Sequence, residues 1–161
     1  MATRIDVPAS SDRELVLARI LDASREKLYR CWTEASLAKQ WFAPRPWTTP
    51  HAELDVRAGG GNLIVLCSPE GQEFPYRGVY LDVVKNERLI YTDAFTLAWE
   101  PSEKAHMVVT ITFEPQGDKT RYIARVQHWS IADRVAHEQM GFHEGWGICA
   151  QQLEALAKTL P

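Results

Sequence analysis

The sequence predicts an α+β domain in which a curved antiparallel sheet wraps a long C-terminal helix, with two short helices after the first strand. Three observations predict it. The middle of the chain is a succession of strand-like segments joined by short turns, and consecutive hairpins pair antiparallel. The only long amphipathic stretch lies at the C-terminus, so it must cover one face of that sheet. The chain has 161 residues, 45% of them hydrophobic, which suits one domain with a substantial core.

Residues 1–12 are polar with isolated aliphatics and read as an N-terminal arm; residues 13–161 form the domain. The run Glu14 to Leu21 is apolar and strand-compatible, and Asp22-Ala23-Ser24 breaks it. Ser24 can cap a helix by accepting from first-turn N–H groups. Leu28, Cys31 and Trp32 then fall at i, i+3 and i+4, one helical face. A second short helix carries Leu37 and Trp41 one turn apart, and Pro44, Pro46 and Pro50 end it. His51 to Arg57 alternates apolar with charged, the period of a half-buried strand.

Gly59-Gly60-Gly61 turns the chain into the strand Asn62 to Cys67. Phe74 to Val84 is the next strand, and Lys85-Asn86-Glu87 leads into Arg88 to Phe95. An acidic loop follows near Trp99 to Lys104. Met107 to Phe113 and Arg121 to Trp129 pair across Pro115-Gln116-Gly117-Asp118, a hairpin signal. From Gly145 the residues Trp146, Cys149, Ala150, Leu153, Leu156, Ala157 and Leu160 recur at three- and four-residue intervals. That helix can start as early as Ala132, with a bend where Gly141, Gly145 and Gly147 weaken it. A bent sheet cannot touch a straight helix along its whole length, so a hollow is expected between them.

Composition narrows the partners. The net charge is -3 and no basic run occurs, which argues against nucleic acid. No segment approaches the roughly 18 apolar residues of a membrane span. The first residues lack the apolar core of a signal peptide, and Cys31, Cys67 and Cys149 are odd in number and far apart. Together these suggest reduced thiols and a cytoplasmic setting. Uncovered sheet edges allow a homodimer.

Few motifs suggest chemistry. His137, Glu138, His143 and Glu144 resemble a metal-binding pattern, but the two His are six residues apart, about 600° of helical rotation. They are read as surface or hinge residues, with His143 the one placed to turn into a cavity mouth. The glycine run leads into a strand and not a helix N-terminus, so it is not a phosphate loop. No nucleophile elbow or cofactor fingerprint occurs. The expected site has no metal and no cofactor.

The order of elements and four stretches resemble the START-like or SRPBCC superfamily, the helix-grip fold, in its AHSA-like branch, related to the activator of heat-shock-protein ATPase. The first stretch is RILDASREKLYRCWTEASLAKQWFAP, where Arg19, Asp22, Trp32, Thr33, Gln40, Trp41 and Pro44 fit. The others are ELDVRAGGG, Gly78 followed by ERLIYT, and EGWGICAQQLEAL. The resemblance implies binding of a small, largely apolar molecule, aromatic or lipid-like, in the hollow. It also permits a polyketide cyclase or dehydratase type of enzyme, or a co-chaperone-like interaction domain. Binding ranks first because no titratable pair suited to catalysis stands out. The expected lining is Trp41, Tyr76, Gly78, Tyr80, Tyr91, Trp146, Cys149 and Leu153. Tyr76 and Tyr80 are expected on one face, with bare Gly78 leaving room and Trp146 and Leu153 opposite. Arg19, flanked by apolar residues, is a further candidate to reach inside.

Overall fold

The computed structural model describes residues 2–161. Its strands are β1 (Thr3–Arg4), β2 (Glu14–Leu21), β3 (Thr48–Leu54), β4 (Gly61–Cys67), β5 (Glu73–Val84), β6 (Arg88–Thr92), β7 (Met107–Gln116) and β8 (Lys119–His128). The helices are α1 (Arg25–Thr33), α2 (Ala35–Ala38), α3 (Ile131–Gln139) and α4 (Phe142–Thr159). All eight strands form one sheet in the order β1-β2-β8-β7-β6-β5-β4-β3, every neighbour antiparallel. Register shifts between Tyr80 and Asp82 in β5, and between Thr48 and His51 in β3, interrupt the ladders. Such irregularities bend strands and help the sheet curl.

Alternation sorts the faces. Leu15, Leu17 and Leu21 of β2, Val109, Ile111 and Phe113 of β7, and Tyr122, Ala124 and Val126 of β8 join one buried cluster. From α4, Ala150, Leu153 and Ala157 complete it at i, i+3 and i+7. Ser24 caps α1 by accepting from the Lys27 N–H, as its sequence position predicts. Buried Gln152 of α4 ties down the chain after α2: its amide nitrogen donates to the carbonyls of Trp41 (2.9 Å) and Ala43 (2.8 Å). Its carbonyl accepts from Arg45 N–H (3.1 Å).

Several boundaries differ from expectation, among them β3, which runs Thr48–Leu54 and takes in Pro50 where a strand from His51 to Arg57 is expected. The arm is docked: Thr3–Arg4 pairs with β2, Ser10 donates from its backbone N–H and hydroxyl to Glu14, and Asp12 C=O accepts from Arg134. Trp41 lies beyond α2, whose single turn ends at Ala38. β6 stops at Thr92, because the Asp93 carboxylate accepts from His106 N–H and Met107 N–H and draws the chain out of the ladder. The terminal helix starts at Phe142, one turn before the expected Gly-Trp. The break from α3 falls at Gly141, whose φ of 96° lies in the left-handed region that favours glycine.

Candidate functional site

A pocket of about 300 Å³ lies between the sheet and the first turns of α4. Asn62, Ile64 and Leu66 of β4 border it at alternate positions, as one strand face does. Tyr76, Tyr91, Met107 and Tyr122 continue that face across β5 to β8. Trp32 of α1 and Trp41, Phe42 and Pro44 after α2 make one wall. The opposite wall is the α3–α4 corner: His137, Met140, Gly141, then Phe142, Gly145, Trp146 and Cys149. The last four stand at i, i+3, i+4 and i+7, one helical stripe. Met140 at 83% and Tyr76 at 54% exposure mark the open rim.

The aromatic walls are locked. Trp32 packs edge-on to Trp41 with centroids 4.9 Å apart, and to Phe42 at 5.6 Å. Trp32 Nε1 donates to the Tyr122 hydroxyl (3.2 Å), and Trp41 Nε1 donates to the Cys31 carbonyl (2.9 Å). Buried indole N–H groups satisfied this way hold their rings in one orientation.

No Asp, Glu, Lys or Arg borders the pocket. Three of its titratable groups are held neutral. Burial pushes the Cys149 thiol up to about 12, so it is no thiolate nucleophile. Burial first, with the nearby Asp93 carboxylate adding to it, holds the Tyr91 phenol well above its ordinary value. Burial, then His128 and His106, lowers His137 to about 4. Among the described residues no cluster of three His, Cys, Asp or Glu is placed to hold a metal. Among the described residues no helix is long and apolar enough to cross a membrane.

Of the eight residues expected to line the hollow, Trp41, Tyr76, Tyr91, Trp146 and Cys149 border the pocket. Tyr80 and Leu153 are packed within the buried cluster, Tyr80 with its ring centroid 6.4 Å from that of Tyr91. A Cβ at Gly78 would collide with the Thr92 carbonyl, so this glycine makes room for β6 backbone and not for a ligand. Arg19 lies against Gly147 of α4 and borders a different cleft. His143 pairs with Glu138 at 3.0 Å, and His137 is the histidine that turns to the pocket. Sequence reasoning overlooked Asn62, Met107, Tyr122 and Phe142 as lining. Tyr122 and Phe142 were detectable in the alternation of β8 and the spacing of α4.

An antiparallel sheet gripping a terminal helix, with a ligand-sized pocket at one end, defines a helix-grip α+β domain. The chain belongs to the family described as Activator of Hsp90 ATPase homolog 1-like protein, whose model matches residues 22–158. It is similar to the crystal structure of a Nitrosomonas europaea protein, with 38% identity and a TM-score of 0.89 over 92% of this chain and 96% of that one. A Rhodobacter sphaeroides protein shares the fold at 21% identity and a TM-score of 0.83, over 96% and 98% of the two chains. An AHSA1-like protein from Aeromonas hydrophila does so at 16% and 0.68, over 88% and 93%. No curated protein matches the chain.

Proposed function

We propose that this protein binds a small, largely apolar molecule in the pocket between the sheet and the α3–α4 corner. The observation that carries the reading is the lining: eight Trp, Tyr or Phe side chains and no charged one. Rigid aromatic walls with a few neutral polar groups are the chemistry of small-molecule sites, and about 300 Å³ suits a compact one- or two-ring ligand. The lining residues we propose are Trp41, Tyr91, Trp146 and Cys149 from the sequence reading, with Trp32 and Tyr122. Three free cysteines suit a reducing, cytoplasmic setting.

Gly145 offers a direct test. Gly145 borders the pocket and a Cβ built there meets nothing within 4 Å, so Gly145→Phe is expected to direct a ring into the pocket. Titration with the neutral fluorescent probe N-phenyl-1-naphthylamine should show saturable one-site binding to the wild-type protein. Gly145→Phe should weaken it at least about tenfold, with the circular dichroism spectrum unchanged. No saturable binding of this probe, or equal binding by the filled variant, would overturn the reading.

A further inference from the structure

One polar pair beside the pocket joins β8 to α3. His128 closes β8 and His137 sits on α3, and their rings meet edge to face with Nε2 of His128 2.9 Å from Nδ1 of His137. His128 Nδ1 is 2.9 Å from the Arg13 carbonyl. A carbonyl only accepts, so His128 Nδ1 carries its hydrogen, and in the neutral ring Nε2 is bare. A bare Nε2 can only accept, so His137 Nδ1 must carry a hydrogen in turn. His137 is then left with a bare Nε2, because burial keeps it neutral at pH 7. One carbonyl thus sets the tautomer of both rings.

His137 borders the pocket, and its Nε2 has no partner among the described residues. It is also absent from the fully buried unpartnered atoms, which among the described residues are only Thr49 Oγ1 and Ser102 Oγ, so Nε2 keeps solvent access. The same holds for the Tyr91 hydroxyl. The Tyr122 hydroxyl accepts from Trp32, leaving its own O–H to donate. No cation borders the pocket to meet an anion, and a bare imidazole nitrogen repels a carboxylate.

Building on the binding reading above, we propose that the His128–His137 pair presents His137 Nε2 as a fixed hydrogen-bond acceptor, and that the pocket selects uncharged aromatic molecules bearing a hydroxyl group. The hydroxyl donates to Nε2 while the ring lies among Trp32, Trp41 and Trp146. An ether or a carboxylate in its place leaves the acceptor unmet.

Calorimetry with 2-naphthol, 2-methoxynaphthalene and 2-naphthoate at pH 7 tests this. The wild-type protein should bind 2-naphthol on the order of tenfold more tightly than the ether, and bind the carboxylate more weakly still. His137→Phe should erase the preference, leaving 2-naphthol and the ether bound with affinities within about threefold of each other. Should that variant fail to fold, long-range ¹H–¹⁵N NMR of the wild type decides. Expected is hydrogen on Nδ1 of both rings and a His137 Nε2 resonance that moves with 2-naphthol; hydrogen on His137 Nε2 overturns the proposal. Equal affinity for naphthol and ether overturns the hydroxyl selection while leaving the apolar site intact. Failure of all three to bind, together with failure of the fluorescent probe, removes the site reading itself.

Discussion

The two halves of α4 face the same sheet and end differently. Its later turns place Ala150, Leu153 and Ala157 in a cluster with Leu28, Leu89, Ile111 and Phe113, all buried. Its first turns place Phe142, Gly145, Trp146 and Cys149 along a pocket of about 300 Å³. Helix and sheet are continuous through both halves. Alanines on the helix let Leu153 and the sheet's aliphatic and aromatic side chains pack closely in one, whereas a missing side chain and stiff rings bridge without filling it in the other. The hollow therefore comes from the choice of side chains at one end as well as from the divergence of a curved sheet and a straight helix.

The contrast can be broken from the packed side first. Leu153→Ala removes a fully buried side chain and should cost about 2–5 kcal/mol in urea unfolding. Probe binding should change little, since Leu153 does not border the pocket. A comparable loss of binding would mean that the halves are not separable.

A smaller effect follows from His137. Its folded-state value is lowered to about 4 by burial first, with His128 and His106 adding to it. Above pH 6.5 the ring is neutral both folded and unfolded, and contributes nothing. As pH falls from 6.5 toward 4, the unfolded chain takes up a proton that the folded protein resists, so stability declines across that window and levels below it. Allowing for solvent screening of a partly exposed ring, the loss is on the order of 1–2 kcal/mol. Urea unfolding against pH should show a steeper fall for the wild type than for His137→Phe; parallel curves would contradict it.

The smallest change sharpens the comparison from the open side. Gly145→Ala adds one methyl group to a helical position with space around it. It should raise the thermal midpoint, gaining up to about 1 kcal/mol from helix propensity. A lower midpoint would show that this glycine serves the backbone and not the pocket.

Much of the fold was legible because its signals are local. Alternation in β7 and β8, the Gly117-Asp118 turn, the Ser24 cap and the stripe of α4 each involve residues a few positions apart, and each lies where its pattern implies. The site was legible in part. Tyr76, Gly78 and Tyr80 do share one strand face, yet only Tyr76 reaches the pocket. Alternation gives a face but not a position along it, and the close approach of Thr92 to Gly78 depends on how β6 leaves the sheet.

By itself, then, the sequence determined the strands β2 to β8, the two short helices, the antiparallel hairpin succession and the apolar stripe of the terminal helix, because period and turn chemistry are encoded within each segment. Tertiary structure alone decided which aromatics meet around a space, which histidine turns toward it, and that Gln152 anchors Trp41 and Ala43 more than a hundred residues away. Those outcomes depend on the mutual placement of separate elements, set by side-chain volumes and hydrogen bonds that close only when the whole sheet has curled around its helix.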